Sequence, residues 1–171
     1  TRTAQFNGVN AKDRSVTFSF SSEQPVQKMF GTETLSHAPG AMVTNRLDNK
    51  SVAFLKDHAW DQQIGKVVSH SVEDGRAYAT AKLSRSALAS EVLGDMEDGI
   101  RTEISVGYIV HEMKLVRSDD KGNDEYLITS WEPLEVASVS VPADYSVGLG
   151  RGADTKMYSV RVLGGDTTNV I

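Results

Sequence analysis

Gly65-Lys66-Val67-Val68-Ser69-His70-Ser71-Val72-Glu73-Asp74-Gly75-Arg76-Ala77-Tyr78-Ala79-Thr80-Ala81-Lys82-Leu83 is the stretch on which the fold reading turns. Gly65 to Val72 and Ala77 to Leu83 read as strands on either side of Glu73-Asp74-Gly75-Arg76. An Asp-Gly pair in that position signals a hairpin, because a tight two-residue turn needs positive φ at both central residues.

The same strand signals recur on both sides. Val16-Thr17-Phe18-Ser19-Phe20 alternates apolar and hydroxyl residues, the period of a half-buried strand. Ile104, Val106, Tyr108 and Val110 line one face of another. Tyr126 to Trp131 and Glu135 to Val141 supply two more, and Tyr158 to Leu163 a candidate last one. The clearest helix starts after Ser84 as N-cap and runs to about Asp98, with Leu88, Val92 and Met96 every four residues and Leu93 beside them. Gly99 stands where a left-handed C-cap is wanted. Ser118 to Glu125 is charged and glycine-containing, a solvated loop. The expected fold is mainly β with peripheral helices (α+β), its sheet a closed or strongly curved barrel, although periodicity does not distinguish a barrel from a sandwich.

At 171 residues the chain fits one domain with a sizeable core. We place that domain at 1–163 and a tail or linker at 164–171, after Gly164-Gly165. The tail reads either as a linker or as the remnant of an autoproteolytic cut. The first residue is Thr1 rather than Met and no signal peptide is visible, which reads as a processed product or an excised domain. A net charge of -5 gives no positive field for phosphates, so nucleic acid is not an expected partner. No apolar run approaches the ~20 residues a bilayer requires. With no cysteine, disulfides, thiolate zinc sites and a cysteine nucleophile are excluded.

The histidines are His37, His58, His70 and His111. None lies in an H-E-x-x-H pattern, and although Asp57, His58 and Asp61 are close in sequence, we expect no metal there. Gly148-Leu149-Gly150-Arg151-Gly152 lacks the trailing Lys-Ser/Thr of a phosphate loop, so no cofactor is expected. Serine hydrolysis needs a hydroxyl, an imidazole to activate it and a third group to orient the imidazole. Ser105 lies mid-strand opposite the apolar face, beside Gly107, which leaves space for approach. His58 sits between the apolar pair Phe54-Leu55 and Ala59-Trp60. Glu135 shares an apolar strand face with Ala137 and Val139, where an unpaired carboxylate is costly and an imidazolium would be a fitting partner. Glu132, three residues earlier, is the competing carboxylate and is expected on the opposite face, with Pro133 disturbing the register between them.

Taken in order, several segments resemble the caudovirus prohead protease family of HK97-type phage heads. They are Gly31-Thr32-Glu33 to His37, Asn45-Arg46-Leu47, Phe54 to Trp60, Gln63-Ile64-Gly65, Asp95 to Ile100, Ile104 to Tyr108, Trp131 to Ser138, and Val141-Pro142-Ala143-Asp144. The resemblance covers roughly residues 15–150. It implies a fold similar to the herpesvirus assemblin proteases, a β-barrel ringed by helices. Ser105 then matches the nucleophile of the S-V/I-G motif, His58 the histidine of L-x-D/E-H, and Glu135 the glutamate of L-x-E-V. Ala137 departs from relatives that often carry serine there.

The implied activity is a serine endopeptidase that cuts scaffold segments of the capsid protein, and itself, inside the assembling prohead in the host cytoplasm. By analogy with assemblins, a homodimer or higher self-association is expected. Two other readings stand beside this one: a catalytically inert head-assembly or scaffold domain of the same fold, and a general serine esterase or peptidase. The absence of a G-x-S-x-G elbow argues against the α/β-hydrolase form of the latter.

Overall fold

Asp74 and Gly75 take φ values of +50° and +70°, and Glu73 pairs directly with Arg76 across them. The Asp-Gly hairpin therefore forms as read, joining β6 (Gln63–Glu73) to β7 (Arg76–Leu83). The computed structural model describes residues 8–144 and 146–149. Of the sequence expectations, the strand at Tyr158 to Leu163 and the tail at 164–171 lie outside the described residues.

The other elements are β1 (Gly8–Asn10), β2 (Ser15–Ser22), β3 (Val26–Lys28), β4 (Gly31–Leu35), α1 (Asn45–Asp48), β5 (Ala53–Lys56), α2 (Ala87–Glu97), β8 (Glu103–Arg117) and β9 (Glu125–Val139). The protein is mainly β, with 52% of the described residues in strand and 11% in helix, and the sheet curls into a half-barrel. Strands run in the order β1-β2-β7-β6-β5-β9-β4-β3, and β8 also pairs with β9. One edge of β9 pairs antiparallel with β8 along its length. Its other edge takes β4 at the start and β5 at the end, both parallel. Residues 148 and 149 lace the curl together, since Gly148 N–H donates to Ser19 O (2.9 Å) and Leu149 N–H to Thr102 O (2.9 Å).

The two strands expected at Tyr126 to Trp131 and Glu135 to Val141 are one strand. Pro133 does not end it, because the ladder takes a bulge there: Tyr108 faces Pro133 while Gly107 faces Glu135, leaving Leu134 as the extra residue. The strand stops at Val139, and Val141 is exposed.

The inner face of the curl holds the core. Phe18 and Phe54 stack at 5.3 Å, and the fully buried Trp131 donates its Nε1–H to Ser36 O at 2.9 Å. Helix α2 packs on β1, β6 and β7 and buries Ala89, Val92, Leu93 and Met96. Each large apolar side chain so buried contributes about 1.5–3 kcal/mol before entropy is counted. The N-cap is Ser86, whose Oγ accepts from Ala89 N–H at 3.1 Å, not Ser84. Ser84 instead bonds through its hydroxyl to Ser86, so the start read from the sequence was two residues early. Gly99 has φ +71°, as expected of a C-cap glycine. Among the described residues no helix is long and apolar enough to cross a membrane.

Candidate active site

Ile104, Val106 and Tyr108 of β8 join the core, so alternation turns Ser105 and Gly107 to the outer face. Their direct partners on β9 are Ala137 and Glu135, and these in turn pair with Leu55 and Ala53 of β5. Side chains directly opposite across a ladder share a face. Two adjacent rows therefore cross the outer surface: Ser105, Ala137, Leu55 and, one step along, Gly107, Glu135, Ala53. Leu55, Ala137 and Val139 form a small buried apolar patch of their own. Glu135 is a carboxylate at the margin of that patch and is itself buried.

His58 reaches the same place from the β5–β6 connection. Asp57 N–H extends the parallel ladder by donating to Ser138 O at 2.9 Å, and Ala59 N–H donates back to Lys56 O. Between them the chain turns with both Asp57 (φ +52°) and His58 (φ +58°) in the left-handed region. Asp and His tolerate that region better than most residues, yet each such residue still costs on the order of 1–3 kcal/mol. The turn lays the imidazole over β9, and His58 Nδ1 stands 2.5 Å from Glu135 Oε1. The imidazole is the only described hydrogen-bond partner of this carboxylate, whose Oε2 is buried without one. The Glu135 hydrogen bond, together with the charges of Glu135 and Asp57, raises the His58 pKa above its ordinary 6.5 against an opposing contribution from partial burial.

Gly107 provides the room for this pair. A Cβ at position 107 would stand 2.1 Å from Glu135 Oε1, with the rest of the carboxyl group also in close contact. The sequence suggested that the glycine leaves space beside Ser105; the space is occupied by the carboxylate.

The bulge also corrects the expectation for Glu132. Glu132 faces Ile109 and Glu135 faces Gly107, and positions 107 and 109 share a face of β8. The extra residue restores a parity that a spacing of three would break, so both glutamates lie on the same face. Glu132 is nonetheless committed elsewhere: Oε1 accepts from Arg46 Nε at 2.9 Å and Oε2 lies 3.2 Å from His111 Nε2. Of the two carboxylates considered, Glu135 is the one that meets His58.

Ser105 is buried on the strand beside this pair, two residues from Gly107. No hydrogen bond joins it to His58. Among the described residues its hydroxyl has no hydrogen-bond partner, which leaves it uncommitted. Asp57, raised as a metal-ligand candidate, instead bonds to Arg101 at 2.8 Å. The sequence reading missed Arg101 and Ser138. Ser138 lies in the same segment as Glu135 but was given no role there, and Arg101 stands in no local pattern with His58 or Glu135, so only the folded arrangement brings it to the site.

A serine and a carboxylate from adjacent strands of a curved sheet, with an imidazole from the β5–β6 connection, are the groups that serine-type acyl transfer employs. Residues 18–148 match the caudovirus prohead serine protease family, and the chain belongs to it. The chain is also 34% identical, over 151 residues, to the major capsid protein of Halomonas phage phiHAP-1. That match takes in 86% of this chain and 25% of the relative, so the chain spans a quarter of that protein's length. No solved structure matches. The expected likeness to the herpesvirus protease fold therefore rests on the sequence resemblance.

Proposed function

We propose that this chain is the endopeptidase of a phage prohead, with Ser105 as nucleophile, His58 as general base and Glu135 orienting the imidazole. The observation that carries the reading is the 2.5 Å bond between His58 Nδ1 and Glu135 Oε1. It holds Nδ1 as the protonated nitrogen and leaves Nε2 as the base. Nε2 takes the Ser105 proton as Oγ attacks the scissile carbonyl. The resulting imidazolium is stabilised by Glu135 and returns the proton to the leaving amine. Water then repeats the sequence on the acyl-enzyme. The free Ser105 hydroxyl is compatible with this, because catalytic hydrogen bonds are often long or poorly aligned before substrate binds.

The substrate class is capsid polypeptide, in the form of scaffold segments and the protease's own flanks, cut inside the prohead in the host cytoplasm. Support comes from the match to a quarter of a polypeptide named a major capsid protein. A protease segment carried within such a chain meets its cut sites at high effective concentration. Self-association is expected by analogy with assemblins. A version extended at both ends should truncate itself, and Ser105→Ala should abolish the cut. Unchanged truncation in that variant would remove Ser105 from the mechanism.

A further inference from the structure

We infer that Arg101 is a positioning residue that fixes the left-handed Asp57–His58 corner onto β9 and so sets where the imidazole stands. The inference rests on the reading of His58 as the base. Arg101 lies four residues beyond the end of α2. Beyond Gly99 the N–H groups of Ile100 and Arg101 both bond Asp95 O, at 2.7 and 3.2 Å, and this tight turn leads the chain back toward the sheet. The Arg101 side chain is only 12% exposed.

Its Nε donates to Ser138 Oγ at 3.1 Å, and its Nη2 donates both to Ser138 O at 2.9 Å and to Asp57 Oδ1 at 2.8 Å. Ser138 O also accepts Asp57 N–H at 2.9 Å. One carbonyl thus receives the corner's backbone and the cation that grips the corner's side chain. Ser138 lies three residues beyond Glu135 on β9, and Asp57 precedes His58. The contacts close a ring: Glu135, Ser138, Arg101, Asp57, His58 and back to Glu135.

Two consecutive non-glycine residues at positive φ persist only where the surroundings over-determine them. Arg101 supplies that constraint from outside the turn. Its rigid fork matters, since a lysine ammonium would not address a side-chain hydroxyl, a carbonyl and a carboxylate in the same fixed geometry. Asp57 is nearly half exposed, so its ion pair adds little to overall stability. The consequence of the contact is placement.

The test compares wild type with Arg101→Gln, Arg101→Lys and Asp57→Asn in three measurements. These are thermal unfolding, the low-field proton resonance of the His58 Nδ1–H in its bond to Glu135 (assigned by its loss in His58→Gln), and the rate of serine acylation by p-nitrophenyl acetate, read from the p-nitrophenol released. Arg101→Gln should unfold cooperatively, lose the resonance and acylate about 100-fold more slowly, as expected of a misplaced base. Arg101→Lys should not rescue it. Asp57→Asn, which keeps an acceptor but loses the charge, should slow acylation by about fivefold. A folded Arg101→Gln that keeps the resonance and acylates within about twofold of wild type, a margin well under 1 kcal/mol, overturns the inference. Should Arg101→Gln fail to fold, the same result in Asp57→Asn overturns it. If Ser105→Ala acylates at the wild-type rate, the functional reading fails instead, and the resonance alone still decides the role of Arg101.

Discussion

Gly107 and Glu135 stand directly opposite one another on β8 and β9, and the carboxylate of Glu135 occupies the volume that a side chain at position 107 would fill. The absence of a side chain is thus part of the site. Gly107→Ala should force the Glu135 carboxyl group aside, since all three of the nearest atoms belong to that one side chain. Overpacking of this kind costs about 1–3 kcal/mol. Self-processing should fall far more steeply, by about 100-fold, because the imidazole loses its orienting partner. Denaturant unfolding and gel-based processing rates on the same preparation check both parts.

Glu135→Gln and Glu132→Gln should behave differently although both residues lie on one face. In the first, Nδ1 of His58 faces an amide that stabilises neither the required tautomer nor the imidazolium, and processing should slow by about 100-fold or more with the fold intact. In the second, a contact to Arg46 and His111 is weakened at a distance from Ser105, and processing should stay within a few-fold of wild type. Equal losses in the two variants would remove the distinction between them.

The raised His58 pKa fixes the direction of the pH response. A protonated imidazole cannot accept the serine proton, so acylation should increase with pH through a midpoint above 6.5. Removing the charge in Glu135→Gln should move that midpoint down. Stability runs the other way: a group whose folded pKa is raised contributes fully below its unfolded pKa, and that contribution is lost as pH rises through the folded value. Acylation rates and the His58 carbon-bound proton shifts, followed across the same pH series, test both statements.

His37 should oppose this trend in the stability profile. Its ring is buried against Trp131, with Nδ1 3.1 Å from Leu35 O and Nε2 without a partner, and burial holds its pKa below 6.5. The unfolded chain then binds a proton that the folded chain refuses. Stability should fall as pH drops below 6.5 and level off once the folded pKa is passed. Chemical denaturation across this range should show the loss in wild type and a smaller one in His37→Asn.

What the sequence carried was local and periodic. The Asp-Gly turn, the two-residue alternation around Phe18 and Ile104 and the four-residue stripe of α2 follow from φ preferences and pleat geometry, which need no distant partner. That alternation also sufficed to put Ser105 opposite the core face and to mark Glu135 as a carboxylate in an apolar row. The tertiary structure decided the rest. Parallel pairing of β5 with β9 brings residue 58 to residue 135, and neither segment encodes that pairing. The bulge at Leu134 set the face of Glu132, because one inserted residue reverses the alternation on which any reading of faces depends. Arg101 entered through hydrogen bonds between segments 37 and 44 residues apart, a relation that no spacing rule along the chain expresses.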